Sequence, residues 1–257
     1  MRSSLILLAA ILLTTACSFD PFGLEGDSTE GDEGNSRWSL QDGLCPGWGQ
    51  CDLSVPVARG AQVAVQIEVP GRTLAEISPV LVDELSGTVT RVSRDPELET
   101  IDFEVLLVRA GTIELMLVDP DGEVIDRARI DVREPVGLAC GEQDSSEPLD
   151  YAMDTIMEDS REIGIVRGAE GQTAPMLACR VTDGEGTPLL SVDIVDWHVV
   201  EAPELLVLQS SFLDFVPDPF ADGARIWVNT LEDAGTGTAV IEASVSDMTE
   251  TFTVTVE

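Results

Sequence analysis

Apart from its acids, this chain carries few side chains that could do chemistry. Histidine occurs once, at His198, cysteine five times and lysine not at all, while aspartate and glutamate together number 48. A metal or acid–base site on His198 would need Asp196 and further groups from elsewhere, and a lone histidine brings no clustered ligand set. On an extended strand Val195, Trp197 and Val199 face one way and Asp196 and His198 the other, so a core-facing Trp197 leaves His198 at the surface. The patterns Gly-x-Ser-x-Gly, His-Glu-x-x-His and Gly-x-x-x-x-Gly-Lys do not occur. Carboxylates are so abundant that no glycosidase-type pair stands out. The reading is a protein with no catalytic residues.

The acids themselves suggest one ligand. Asp119, Asp121 and Glu123, and separately Asp214, Asp218 and Asp222, offer the hard oxygens that Ca²⁺ takes, although neither run fits the twelve-residue helical calcium loop. The segment Asp119-Pro120-Asp121-Gly122 is equally a good hairpin turn. Ca²⁺ at Asp119, Asp121 and Glu123 is the single metal expectation, and no other cofactor is implied. A net charge of −34, with all fourteen basic residues arginine, repels phosphate backbones and excludes nucleic acid as a partner. Adaptation to saline surroundings or simple solubility explains such a surface without any ligand.

The first sixteen residues read as an address. Arg2 supplies the positive end, Leu5 to Leu13 form an apolar run too short to span a bilayer, and Thr14-Thr15-Ala16 places small residues ahead of Cys17. This segment resembles a bacterial lipoprotein signal. The resemblance implies cleavage before Cys17, acylation of that cysteine and a membrane held through the lipid. Thr14 departs from the family pattern, which favours Leu there. Ser18 lacks the aspartate that retains some lipoproteins at the inner membrane, which points to the outer one. Residues 17–44 are rich in Gly, Ser and acid, with little to bury, and are expected to be a flexible, self-repelling tether.

With Cys17 taken by lipid, Cys45, Cys51, Cys140 and Cys179 remain, an even number suited to an oxidising compartment. Four cysteines allow three pairings. The local one, Cys45–Cys51 with Cys140–Cys179, keeps each bridge inside one domain and is the expectation; the chain-entropy model gives them about 2 and about 4 kcal/mol. A zinc site is disfavoured by the missing C-x-x-C pairs and the near absence of histidine.

From Asp52 onward the hydrophobic period is two. Val63, Val65, Ile67 and Val69 alternate with polar neighbours, as do Ile113, Leu115 and Leu117, and Val124, Ala128, Ile130 and Val132 are expected to share one face. Turn signals at Arg59-Gly60, Pro70-Gly71, Ser86-Gly87 and Arg109-Ala110-Gly111 separate about seven strands before Glu134, enough for one sandwich. The second half repeats the plan, with strands expected near 162–167, 176–182, 192–200, 205–209, 224–230, 238–246 and 251–256. Val57-Ala58-Arg59-Gly60-Ala61 is echoed by Ile165-Val166-Arg167-Gly168-Ala169, and residues 212–223 are the candidate insertion in the second copy. The fold class is therefore all-β, two tandem β-sandwiches at 45–134 and 135–257. Leu149, Met153, Ile156 and Met157 recur at helical spacing and suggest a short helix near 149–158.

The run Cys179-Arg-Val-Thr-Asp-Gly-Glu-Gly-Thr-Pro-Leu, followed by Val192-Asp-Ile-Val-Asp-Trp197, resembles the bacterial immunoglobulin-like domains of adhesins and envelope proteins, as do Gly237 and Phe252-Thr-Val-Thr-Val. The match covers about the last hundred residues; the first half matches only in the Gly111 to Val132 hairpin. The resemblance implies a spacer or adhesive module and brings no catalytic residues. The function expected is thus a non-enzymatic, lipid-anchored envelope protein whose domains meet a protein or glycan partner. A calcium-dependent adhesin, an accessory subunit of an envelope complex and, remotely, a hydrolase are the alternatives.

Overall fold

The computed structural model describes residues 28–41, 50–143, 156–157, 160–166, 174–191, 193–209 and 224–257. Their regular structure is almost entirely strand. In the first half these are β1 (Thr29–Glu30), β2 (Arg37–Gln41), β3 (Gln50–Cys51), β4 (Val57–Ala58), β5 (Gln62–Glu68), β6 (Ser78–Leu81), β7 (Gly87–Asp95), β8 (Thr100–Leu107), β9 (Gly111–Val118) and β10 (Val124–Arg133). One sheet runs β1-β2-β5-β8-β7 with β3 beside β2, and the facing sheet runs β4-β10-β9-β6. The period-two alternation becomes burial directly: Val63, Val65 and Ile67 of β5 and Ile113, Leu115 and Leu117 of β9 are buried, while their neighbours in sequence are not.

The second half repeats this order. Its strands are β11 (Gly137–Gln143), β12 (Ile156–Met157), β13 (Glu162–Ile165), β14 (Met176–Thr182), β15 (Pro188–Leu189), β16 (Asp196–Glu201), β17 (Leu206–Gln209), β18 (Arg225–Thr230), β19 (Gly237–Val245) and β20 (Met248–Val256). The sheets are β12-β11-β14-β18-β17, with β15 beside β14, and β13-β20-β19-β16. In each half the opening strand pairs in one sheet. A short segment, β4 or β13, then crosses to lie parallel to the last strand of the other sheet. That order, with antiparallel pairing elsewhere, is the immunoglobulin-like sandwich. The two echoed sequence fragments overlap these crossing segments.

Three expectations change. Residues 28–41 lie within the stretch assigned to the tether, yet they form β1 and β2, and Trp38 and Leu40 are fully buried. Two apolar residues at i and i+2 suffice to face a strand inward, even in an acid-rich tract. The proposed helix is also corrected at its end: Ile156–Met157 is a strand paired with Glu142 and Gln143, and residues 144–155 lie outside the described residues. Finally, Val124 does not share the inward face of Ala128, Ile130 and Val132. A bulge between Val124 and Asp126 shifts the register, leaving Val124 partly exposed and turning Ile125 and Asp126 inward.

Asp126 is fully buried, so its carboxylate needs partners. It has four. Oδ1 accepts the backbone N–H groups of Glu33 and Arg127, both at 2.8 Å, and Oδ2 accepts the backbone N–H of Asn35 and the Ser36 hydroxyl, both at 2.8 Å. Ser36 Oγ in turn accepts the Trp38 indole N–H at 2.7 Å. Burial pushes the Asp126 carboxyl up. The donors from Glu33, Ser36, Arg127 and Asn35 outweigh it and leave the group below its ordinary value. The loop holding these donors passes so close that a Cβ on Gly31 would lie 2.3 Å from the carboxylate.

Cys140 and Cys179 form a disulfide between directly opposed residues of β11 and β14, as the local pairing requires. Cys51 is disulfide-bonded, and its expected partner Cys45 lies outside the described residues. Trp38→Ala should lower unfolding stability by about 4 kcal/mol, the cost typical of emptying a large aromatic site. Denaturant titration checks it, and a loss under about 1 kcal/mol would show that the site collapses around the gap.

Candidate functional site

A built polar region lies where the two sandwiches meet. Only Glu134, Pro135 and Val136 separate β10 from β11, and Pro135 fixes φ and withholds a donor there. Val136 N–H donates to Thr182 O at 2.8 Å. The connection after β15 then approaches the first sandwich. Ala58 N–H donates to Leu190 O at 2.8 Å, Leu190 N–H donates to Pro56 O at 2.9 Å, and Val57 and Leu190 form a parallel bridge. Val57, Ala58, Leu189 and Leu190 are all buried. Asp193, with a left-handed φ of 57°, turns this connection. Burial, and then the charge of Glu104 from the first sandwich, push its carboxyl up, against the pull of Arg91.

An ion pair crosses the same joint. Arg133 donates from Nε to Asp131 at 2.8 Å and from Nη1 to Asp183 Oδ2 at 2.6 Å. The other oxygen of Asp183 accepts the N–H groups of Glu185 and Thr187 at 2.9 and 2.8 Å, which sets the turn through Gly186 at φ +81°. The Arg133 guanidinium, with the Thr187 and Glu185 amides behind it, holds the Asp183 carboxyl down to about 2. Thus the Asp183-Gly-Glu-Gly-Thr-Pro188 run of the sequence is a turn whose first residue also ties the domains together.

The residues singled out from sequence fall as follows. Cys17 and Cys45, together with Asp214, Asp218 and Asp222, lie outside the described residues. Asp119, Asp121 and Glu123 are together, but as a turn: Asp119 Oδ1 accepts the N–H groups of Asp121 and Glu123 at 3.0 and 2.8 Å, with Gly122 at φ +82°. Among the described residues no three His, Cys, Asp or Glu side chains gather as a metal group. His198 is exposed on β16 opposite Glu242 of β19, while Trp197 packs inward, 6.3 Å from Phe252 between ring centres. A notch of about 410 Å³ beside the β8–β9 turn is lined by Val82, Ser86, Glu114 and the Arg109–Asp83 ion pair of 3.2 Å, with no nucleophile–base pair. Among the described residues no helix is long and apolar enough to cross a membrane.

Sequence reasoning missed Asp126, Asp183 as a joint residue, and Leu190. For Asp183 the signal was available, since an Asp opening the Gly-rich run Asp183-Gly-Glu-Gly marks a residue that caps its own turn. For Leu190 there was none, because its contribution is backbone.

The fold thus defines a tandem immunoglobulin-like sandwich protein. No known family profile matches the chain. Two curated proteins, the queuine tRNA-ribosyltransferase accessory subunit 2 of Drosophila persimilis and of Drosophila pseudoobscura pseudoobscura, are 33% identical to it over 76 residues, 28% of this chain. The match covers 18% of their own length. Among solved structures the chain is similar to the Escherichia coli adhesin FdeC at 10% identity, over 90% of this chain and 66% of that one, with a TM-score of 0.29. The Yersinia pseudotuberculosis adhesin InvE gives 16%, 79%, 56% and 0.29 in the same order, and domains 5–6 of the S-layer protein SbsC give 12%, 79%, 92% and 0.30. Likenesses so distant carry no functional argument, and the fold assignment rests on the strand order.

Because its folded pKa is depressed, Asp183 stabilises the protein above the unfolded value of 3.8, and that contribution is lost as pH falls from there toward about 2. Asp183→Asn should therefore narrow its stability deficit relative to wild type across that window. Denaturant unfolding of both proteins between pH 5 and pH 2 measures it. A deficit constant with pH would mean that the ion pair contributes nothing.

Proposed function

We propose that the protein is an exported, lipid-anchored envelope component whose two immunoglobulin-like sandwiches form a short, stiff, non-catalytic spacer that presents a surface to a protein or glycan partner outside the cytoplasm. The observation that carries this reading is the joint. A three-residue connection, two backbone hydrogen bonds between Pro56–Ala58 and Leu190, and the Arg133–Asp183 pair leave little freedom between the domains. Interfaces within one chain are ordinarily small and mobile, so a stitched joint favours a role that depends on fixed reach. The buried Cys140–Cys179 bridge supports an oxidising compartment. The apolar run before Cys17 supports export and acylation there, and Ser18 supports the outer membrane as the destination.

The anchor is tested by metabolic labelling with a palmitate analogue. Wild type should carry the label and sediment with membranes, and Cys17→Ser should do neither; an unlabelled wild type would remove the anchor. The partner is tested by cross-linking in native membranes with carboxyl-directed reagents, since the chain has no lysine. A single protein recovered in near-equal amount would make this a subunit of an envelope complex. Recovery of background only would leave the free-standing spacer.

A further inference from the structure

The segment that enters the first sandwich is fastened in an unusual way. Residues 28–35 reach β2 through the two-residue strand β1, and their remaining contacts converge on the bulge of β10. Glu33 and Asn35 donate backbone N–H groups to Asp126, Asn35 Nδ2 donates to Ile125 O at 2.9 Å, and Asp32 N–H donates to Arg127 O at 2.8 Å. Asp32 also pairs with Arg129 at 2.9 Å. Thr29 Oγ1 accepts the Leu53 N–H at 2.8 Å. Almost nothing apolar takes part: the first large buried side chain is Trp38, beyond Ser36. The segment itself carries acids at Glu30, Asp32 and Glu33, so it is amide donors and not charge that hold it to Asp126.

Polar attachment of this kind differs from core packing. Lifting residues 28–35 away exposes little hydrophobic area, and it exchanges two of the four Asp126 donors, the Glu33 and Asn35 amides, for water, which solvates a carboxylate well. The sandwich behind it keeps Trp38, Leu40 and the pairing of β2 with β5. We propose that residues 28–35 are a strap, closed over the first sandwich by the Asp126 carboxylate and able to open while the sandwich stays folded. Opening frees eight residues, about 26 Å of extended chain, between whatever holds the N-terminal side and the first folded layer. The strap thereby sets the reach of the protein, which deepens the anchored-spacer reading, though its existence does not depend on a lipid.

Hydrogen exchange on the full chain in solution tests it, alongside cleavage by a glutamate-specific protease at Glu30 and Glu33. In Asp126→Asn the new amide turns a donor group toward donors. Exchange at the Glu33 and Asn35 amides and cleavage at both glutamates should rise about ten-fold or more, with protection at Val65 and Ile67 unchanged. Gly31→Ala, which leaves the Asp126 charge in place but drives a methyl into it, should give the same local pattern. Loss of protection at Val65 and Ile67 together with the strap in both variants would make Asp126 an ordinary core group and overturn the proposal. An unchanged strap in both variants would overturn it too. These readouts need no membrane, so a failed acylation test and a failed strap are separate results.

Discussion

The backbone of Pro56–Ala58 is used on both sides, and the shape of the molecule depends on it. One side pairs in parallel with the end of β10; the other exchanges hydrogen bonds with Leu190 from the second sandwich. An immunoglobulin-like sheet normally ends at this short crossing segment with a row of free N–H and C=O groups, the kind of edge that invites aggregation. Here the neighbouring domain closes it. Covering an edge and fixing a joint become one interaction, and the buried side chains run as one continuous cluster through both halves. The three-residue connection then need not be rigid in itself, because Leu190 returns to hold the domains from a second direction.

Charge is managed with the same economy. Half of the fourteen arginines make ion pairs within the described residues, most of them exposed and individually modest. Arginine's fork lets one cation serve several acceptors, which lysine's point charge does less well. Arg133 bridges Asp131 and Asp183, Arg94 donates to the carbonyls of Leu74 and Ile77, and Arg161 donates to Cys140 O while its guanidinium lies 5.3 Å over the Phe252 ring. In a chain with 48 acids the scarce cations are stationed where they fasten elements to one another.

Much of this was legible in the sequence. The alternation of Val63, Val65 and Ile67 fixes a strand and its inward face with no help from the rest of the chain, and strand β14 coincides with the expected 176–182. The inward packing of Trp197 and exposure of His198 followed from the same period. What escaped was of two kinds. Trp38 and Leu40 are too short a signal to register inside an acid-rich tract, and only the tertiary site opposite β5 makes a strand of them. The bulge at Val124–Asp126 is a register event, invisible to a reading that carries period two straight through, and it hid the fully buried Asp126. At Asp119, Asp121 and Glu123 the composition is shared by turn-forming and calcium-binding acids, and the structure shows the turn.

The placement of the second sandwich's disulfide has a mechanical consequence. In antibody domains such a bridge crosses between sheets, whereas Cys140–Cys179 joins neighbouring strands of one sheet. Among the described residues, the gap between the two sheets is thus spanned by packing and by the Arg161–Cys140 hydrogen bond, with no covalent tie, and can shear. A chain pulled from both ends could nevertheless not pay out the 39-residue separation between the two cysteines, shortening its fully stretched contour by about 130 Å. Unravelling that begins at the joint would run along β11 only as far as Cys140 before meeting a covalent stop.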